Sequence, residues 1–147
     1  MRRTIQGISV DAIQRIAYAL ARQTMSWNEP IPDFETRFPN VLESCILVPF
    51  QTYEHTPLYS GLIGKAAILF YLLIKDHPFQ NGNKRIAVTT LLVFLRLNGK
   101  WLEADEKDLY RFAVWVAESQ PDLKDDVVSA IQTFVRRNMV DRDVKSK

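Results

Sequence analysis

The sequence predicts an all-α protein, and three observations support this fold class. Apolar residues recur at three- and four-residue steps along most of the chain, which is the spacing of one face of an α-helix. Two segments, 60–76 and 84–98, are apolar on nearly every side, as expected of helices buried inside a bundle. Prolines fall between the helical patterns and not within these two segments.

The composition predicts one domain spanning residues 1–147. The chain has 147 residues, of which 47% are hydrophobic and 24% charged, and this balance is typical of a globular protein with a single core. No internal repeat or linker divides the sequence. The last few residues, which include Lys145 and Lys147, are predicted to form a frayed tail.

The first predicted helix carries Val10, Ile13, Ala17 and Leu20 on one face. Ser9 stands before this pattern, where its hydroxyl can cap the first turn. A proline-rich stretch then follows at 30–39, which favours loop or short turns.

A short helix is predicted at 41–47, because Pro49 prevents its continuation. The segment 49–58 is rich in strand formers and is bounded by prolines, and it predicts a small β-hairpin, or flap, on the surface.

The buried segments 60–76 and 84–98 predict a central pair of helices, the second ending at an Asn-Gly cap signal. Two amphipathic helices are predicted after them, at 109–116 and 127–135, with Pro121 between the two.

The net charge, the residue counts and the length of the apolar runs argue against several functional classes. The net charge is only +2, so the overall field does not predict a nucleic-acid partner. The single cysteine, Cys45, and the two histidines argue against disulfides and transition-metal sites. The chain has no signal-peptide pattern and no apolar run near the ~20 residues that span a bilayer. We therefore expect a cytoplasmic protein without a membrane partner.

The loop between the two central helices carries the candidate chemistry. Residues 77–85 read His-Pro-Phe-Gln-Asn-Gly-Asn-Lys-Arg and run directly into the second helix. A glycine at a helix start, followed by two basic residues, is suited to bind phosphate oxygens. On local chemistry alone, a turn with a solvated basic first turn is an equally good interpretation, and a lone histidine is more often structural than catalytic.

The order of these residues resembles the signature of the Fic/Doc family. The Fic branch reads His-x-Phe-x-(Asp/Glu)-Gly-Asn-Gly-Arg-x-x-Arg, and the Doc branch has lysine in place of the second glycine, as Lys84 does here. A Leu-Glu-Ser segment at 42–44 and a Leu-Arg-Leu-Asn-Gly segment at 95–99 are also similar. The resemblance covers about 41–101, and it implies a compact Fic/Doc helical bundle.

The resemblance implies a role for each residue of the loop. His77 would be the general base that takes the proton from a serine, threonine or tyrosine hydroxyl. Phe79 would anchor the loop to the core. The flap, at 48–58, would lie beside the site and align the target by strand addition.

The nucleotide-binding set implied by the resemblance follows in the sequence. Gly82 and Asn83 would form the anion cradle, while Lys84 and Arg85 would neutralise the phosphates of ATP. The family's acidic Mg²⁺ ligand falls on Asn81, whose neutral oxygen is a weaker ligand for this hard cation. Either the metal is bound more weakly, or a neighbour such as Asp76 contributes, or activity is reduced.

The reaction implied by the resemblance is a kinase-like transfer. Val88 replaces the second arginine of the Fic branch, and the Lys84 side chain would crowd the approach to the α-phosphate. We therefore expect a Doc-like toxin that transfers the γ-phosphoryl group of ATP to a protein, with translation elongation factor Tu as the candidate target. The alternatives are a Fic-type AMP transferase and a catalytically weakened binding module.

The resemblance also implies how such a toxin would be controlled. Fic-type proteins carry an inhibitory helix with the pattern Ser/Thr-x-x-x-Glu, but no glutamate of this chain has serine or threonine four residues before it. We therefore expect an antitoxin in trans. Its C-terminal segment would fold into a helix in the groove by the flap and place an acidic residue near Arg85.

Overall fold

The computed structural model describes residues 4–24 and 30–142. Its α-helices are α1 (Val10–Ala12), α2 (Tyr18–Gln23), α3 (Pro39–Leu47), α4 (Gly61–Lys75), α5 (Asn83–Leu97), α6 (Glu106–Glu118) and α7 (Lys124–Asn138). Its strands are β1 (Thr52–Tyr53), β2 (Thr56–Pro57), β3 (Lys100–Leu102) and β4 (Met139–Asp141). The all-α prediction is confirmed. The tail expected to fray lies largely outside the described residues.

The N-terminal helix is continuous from α1 to α2 through the π-helical turn Ile13–Ala17. Its predicted cap is present, since the Ser9 hydroxyl oxygen accepts the Ala12 amide at 3.0 Å. Ile13, Ala17 and Ala21 are fully buried along one face. This face packs the helix against α5.

The central pair α4 and α5 forms the core, as predicted. Both helices are buried along almost their whole length, and they pack against each other. The helices α6 and α7 and the N-terminal helix pack around this pair. Each fully buried leucine, isoleucine or phenylalanine contributes about 1.5–3 kcal/mol by leaving water. The ends of α4 and α5 are therefore fixed, and so is the loop between them.

A small hairpin is present at the predicted flap. β1 pairs with β2 in antiparallel register, with Tyr53 opposite Thr56. The two residues between the strands, Glu54 and His55, have φ angles of 48° and 69°. Two positive φ angles in a two-residue connection suit the right-handed twist of a hairpin.

The position of the flap corrects the sequence expectation. The Phe50 ring at the base of the hairpin contacts the Phe94 ring, with 6.4 Å between their centroids. Phe94 lies eleven residues beyond Asn83, the first residue of α5, which is about 16 Å along the helix axis. The base of the hairpin therefore lies at one end of the central helix pair, and the loop of residues 77–82 lies at the other. The hairpin does not lie beside this loop.

A second strand pair was not predicted from the sequence. β3 follows α5 and pairs antiparallel with β4, with Trp101 opposite Val140. Each strand has three residues, too few to show a clear alternation. The packing of α7 against α4 helps to bring the two strands together. Within the described part of the chain, no helix is long and apolar enough to cross a bilayer.

Candidate active site

The loop of residues 77–82 joins the last turn of α4 to the first turn of α5. Asp76 caps the C-terminal end of α4, and Gly82 stands at the cap position of α5. The loop also contacts α3, because the Phe38 amide donates to the Pro78 carbonyl oxygen at 2.8 Å. Three helices therefore set the position of this short segment.

His77 lies exposed at the mouth of the loop. Its φ angle is 50°, a left-handed conformation that few residues other than glycine adopt. Its ring nitrogen Nδ1 is 3.5 Å from Nδ2 of Asn83, a long contact. The backbone strain is held by the surrounding loop, and it turns the imidazole ring towards the start of α5.

Asn83 is buried and fixes the shape of the loop. Its Oδ1 accepts the Phe79 amide at 3.0 Å, and its Nδ2 donates to the Phe79 carbonyl oxygen at 2.9 Å. One side chain thus satisfies both backbone groups of Phe79. The residue expected to bind phosphate is also the internal brace of the loop.

Phe79 lies in the core, as an anchor should. It is 2% exposed, and its ring is 5.5 Å from that of Tyr18 and 6.1 Å from that of Phe34. Tyr18 and Phe34 also contact each other edge to face. Sequence reasoning missed both partners: Tyr18 falls off the helix face that marks the core, and Phe34 lies in a proline-rich stretch without periodicity.

Glycine is required at position 82 by its backbone conformation and because there is no space for a side chain. Its φ angle is 71°, and a Cβ atom there would lie 2.8 Å from the Pro30 carbonyl oxygen and 2.9 Å from Cδ1 of Ile31. The segment that contains Pro30 and Ile31 therefore packs directly against the start of α5. The helix begins here with its first amides and the positive end of its dipole.

Arg85 faces inward in this structure. The side chain is 6% exposed, and its Nη2 donates to the carbonyl oxygens of Ala21 and Thr24, the latter at 2.9 Å. A cation at the C-terminal end of α2 stabilises that helix. The predicted phosphate ligand is thus engaged in holding the N-terminal helix, whereas Lys84 is half-buried in the first turn of α5.

The fit of the loop to a magnesium ion is poor. Asn81 is exposed, and its Oδ1 accepts the Gly82 amide at 2.8 Å. Asp76, the possible helper, lines a cavity with residues of α3 instead. The described residues contain no group of three or more histidine, cysteine or acidic side chains that could hold a metal. The side chain at the family's acidic position offers the ion one neutral oxygen, which already accepts a hydrogen bond.

A family model described as the Fic/DOC family matches residues 7–95. "Toxin Doc" of Mycolicibacterium smegmatis is 33% identical over 73 residues, which are 50% of this chain and 56% of that protein. The chain therefore matches little more than half the length of this curated relative. No solved structure matches the chain.

Proposed function

Because the chain belongs to the Fic/DOC family, we propose that it is a Doc-like toxin that transfers the γ-phosphoryl group of ATP to a protein hydroxyl. The similarity to Toxin Doc supports the toxin assignment. The proposed site of action is the cytoplasm, and the proposed target is translation elongation factor Tu.

One observation carries this proposal: a candidate base and a candidate phosphate cradle meet in one loop. His77 stands exposed with its ring beside Asn83, and Asn83 is the first residue of α5. The left-handed Gly82 lets the backbone enter the helix at this point without a side chain in the way. The positive end of a helix can bind phosphate oxygens, and a histidine beside it can take the proton of an incoming hydroxyl.

The transfer step follows from this arrangement. The hydroxyl oxygen of the target forms a bond to the γ-phosphorus, and its proton passes to a ring nitrogen of His77. The bond between the γ-phosphorus and the oxygen that bridges to the β-phosphate breaks, and ADP leaves with that oxygen. The partial positive charge at the start of α5 and the Lys84 ammonium stabilise the charge on the phosphates.

A second candidate is a binding module with weakened catalysis. The observation that favours it is the hydrogen bond that engages the Asn81 oxygen, at the position where the family has its acidic ligand. AMP transfer is the third candidate, but the crowding expected from Lys84 disfavours it.

ATP labelled at either the α- or the γ-phosphate separates these candidates. Purified elongation factor Tu is incubated with the protein and each label, and a cell extract serves as a second source of targets. Label transferred only from the γ-position supports the proposal, and label from the α-position supports AMP transfer. Labelling from neither position supports the binding module. The His77→Ala variant controls for contaminating kinases.

The proposed partner is an antitoxin that acts in trans. The hairpin and Arg85 lie in different parts of the molecule, so one inhibitory helix is not expected to contact both. Of the two places, the loop is the one where a bound segment would block the nucleotide. The test is growth of cells that express the protein alone and together with a candidate antitoxin. Harmless expression of active protein without a partner would overturn the toxin assignment.

A further inference from the structure

A shallow cavity, open to solvent, lies beside the loop on the side of α3. Its volume is about 360 Å³, and it is lined by Asn40, Val41, Ser44 and Asp76. Asp76 directly precedes His77. The cavity is therefore next to the candidate base and not at the distant end of α4 that holds the hairpin.

The position of the Asp76 carboxylate is electrostatically unfavourable. It caps the C-terminal end of α4, where the helix dipole is negative and an anion is unfavourable. The adjacent cation, Lys75, points elsewhere and donates to the carbonyl oxygens of Ala117 and Ser119. In the part of the chain that the structure describes, no ion pair neutralises Asp76. A local mismatch of this kind is typical of functional positions.

The charge of Asp76 contributes to the raised pKa of two neighbouring groups. Burial, and after it the charge of Asp76, raises the pKa of Cys45 to about 12. The same two causes in the same order raise the pKa of Tyr71. The charge of Asp76 therefore adds to the effect of burial on these two groups.

The lining suits a cationic side chain. Val41 offers an apolar wall for the alkyl stem of a lysine or arginine. The Asp76 carboxylate and the side-chain oxygens of Asn40 and Ser44 can accept hydrogen bonds from its charged head. The cavity has room for such a head with its hydration, far more than a bare metal ion occupies.

We propose that this cavity binds a lysine or arginine side chain of the target protein, close in sequence to the hydroxyl that is modified. The inference rests on the proposed function, since it assigns a specificity determinant to the same site. Asp76 binds the cation, and this contact brings the neighbouring hydroxyl to His77. The preferred target segment is therefore basic on one side of its acceptor residue.

The test uses pairs of fluorescent peptides with a single threonine. Each pair carries either arginine or citrulline at one position within three residues of the threonine. Citrulline has nearly the same shape as arginine but no charge. Binding is measured by anisotropy without ATP, so no transfer is needed, and kcat and KM for γ-label transfer are measured separately. At the best position, the arginine peptide is expected to bind about fivefold more tightly than the citrulline peptide. The difference should appear in KM, which is lower for the arginine peptide.

The variant Asp76→Asn should remove this discrimination, and Asp76→Lys should reverse it. The control is Glu118→Gln, because Glu118 is also an exposed acid in the last turn of a helix, α6, but lines none of this cavity. It should keep the full preference for arginine.

Each outcome decides one of the two proposals. Equal binding of both peptides, no binding of either, or a preference that survives in Asp76→Asn overturns the cation site. A changed Mg²⁺ requirement in Asp76→Asn with unchanged discrimination also overturns it, and assigns Asp76 to a metal. Binding that discriminates without any transfer of γ-label leaves the cation site in place and rejects the proposed function.

Discussion

The side chain of Asn83 holds the amide and the carbonyl of Phe79 at once, with distances of 3.0 and 2.9 Å. The buried Phe79 and the first residue of α5 are therefore joined by two hydrogen bonds. Because His77 lies against the same Asn83 side chain, the position of the candidate base depends on this brace.

Replacing Asn83 by Asp should break the brace without changing the size of the side chain. The new oxygen would face the Phe79 carbonyl oxygen, and that buried group would lose its donor. We expect the free energy of unfolding to fall by about 1–2 kcal/mol and transfer to be lost, as measured by urea titration and label incorporation.

The matched control for this change is Asn98→Asp. Asn98 holds the amide and carbonyl of Gln6 in the same manner, at the far end of α5. It should cost less stability, because these hydrogen bonds are exposed and water can replace them, and it should leave transfer intact. Equal losses of transfer in both variants would show that the brace at Asn83 has no special connection with the site.

Replacing His77 should abolish transfer and leave the fold intact. The side chain is exposed, so its loss creates no cavity. Asparagine tolerates the left-handed φ of 50° better than alanine does, and His77→Asn is therefore the cleaner variant. An unchanged melting temperature with no label incorporation is expected. Near-normal activity would reject His77 as the base.

Truncating Phe79 should mainly reduce stability. Its ring is 2% exposed between Tyr18 and Phe34, and Phe79→Ala should lower the free energy of unfolding by about 3–5 kcal/mol. Phe38 is 48% exposed, and Phe38→Ala, the control, should cost less than about 1 kcal/mol. If the two variants unfold at the same urea concentration, Phe79 is not the anchor.

Replacing Asn81 by Asp should strengthen the response of transfer to Mg²⁺. The change places a hard, anionic oxygen where the loop now offers a neutral one. The midpoint of a Mg²⁺ titration should shift to lower concentration. Gln80→Glu adds the same charge to the neighbouring exposed residue and should not shift it. An identical midpoint in Asn81→Asp and the native protein would mean that Asn81 does not lie at a metal position.

The buried phenol of Tyr18 should make the protein sensitive to alkali. Burial raises its pKa from 10.0 to about 12, so the folded state keeps a proton that the unfolded state loses. The contribution to stability is complete below pH 10 and is lost as the pH rises towards 12. The loss is at most about 1.4 kcal/mol per pH unit in that window.

Tyr18→Phe should remove this part of the pH dependence. At neutral pH it should not destabilise the protein, because the Tyr18 hydroxyl has no hydrogen-bond partner among the described residues. Unfolding by urea at pH 7 and at pH 10.5 gives the comparison, with Tyr53→Phe, an exposed tyrosine, as the control. Parallel pH profiles for Tyr18→Phe and the native protein would contradict the assignment.

The sequence by itself determined the elements that depend on local pattern. The buried helices α4 and α5 follow from two long apolar segments, and the cap at Ser9 follows from its place before a periodic run. The hairpin follows from strand formers between prolines. That Gly82 and its neighbours lie together at the start of α5 could also be predicted, because they are consecutive in the chain; their chemistry stays a prediction.

The tertiary structure decided which distant residues meet. Arg85 donates to Ala21, 64 residues earlier, and no local pattern indicates that its charge would hold a helix end. The distance of the hairpin from the loop, and the cavity where Asp76 meets α3, depend likewise on how whole helices pack. Periodicity reports which face of a helix is buried, but the partner of that face is set only when the core is assembled.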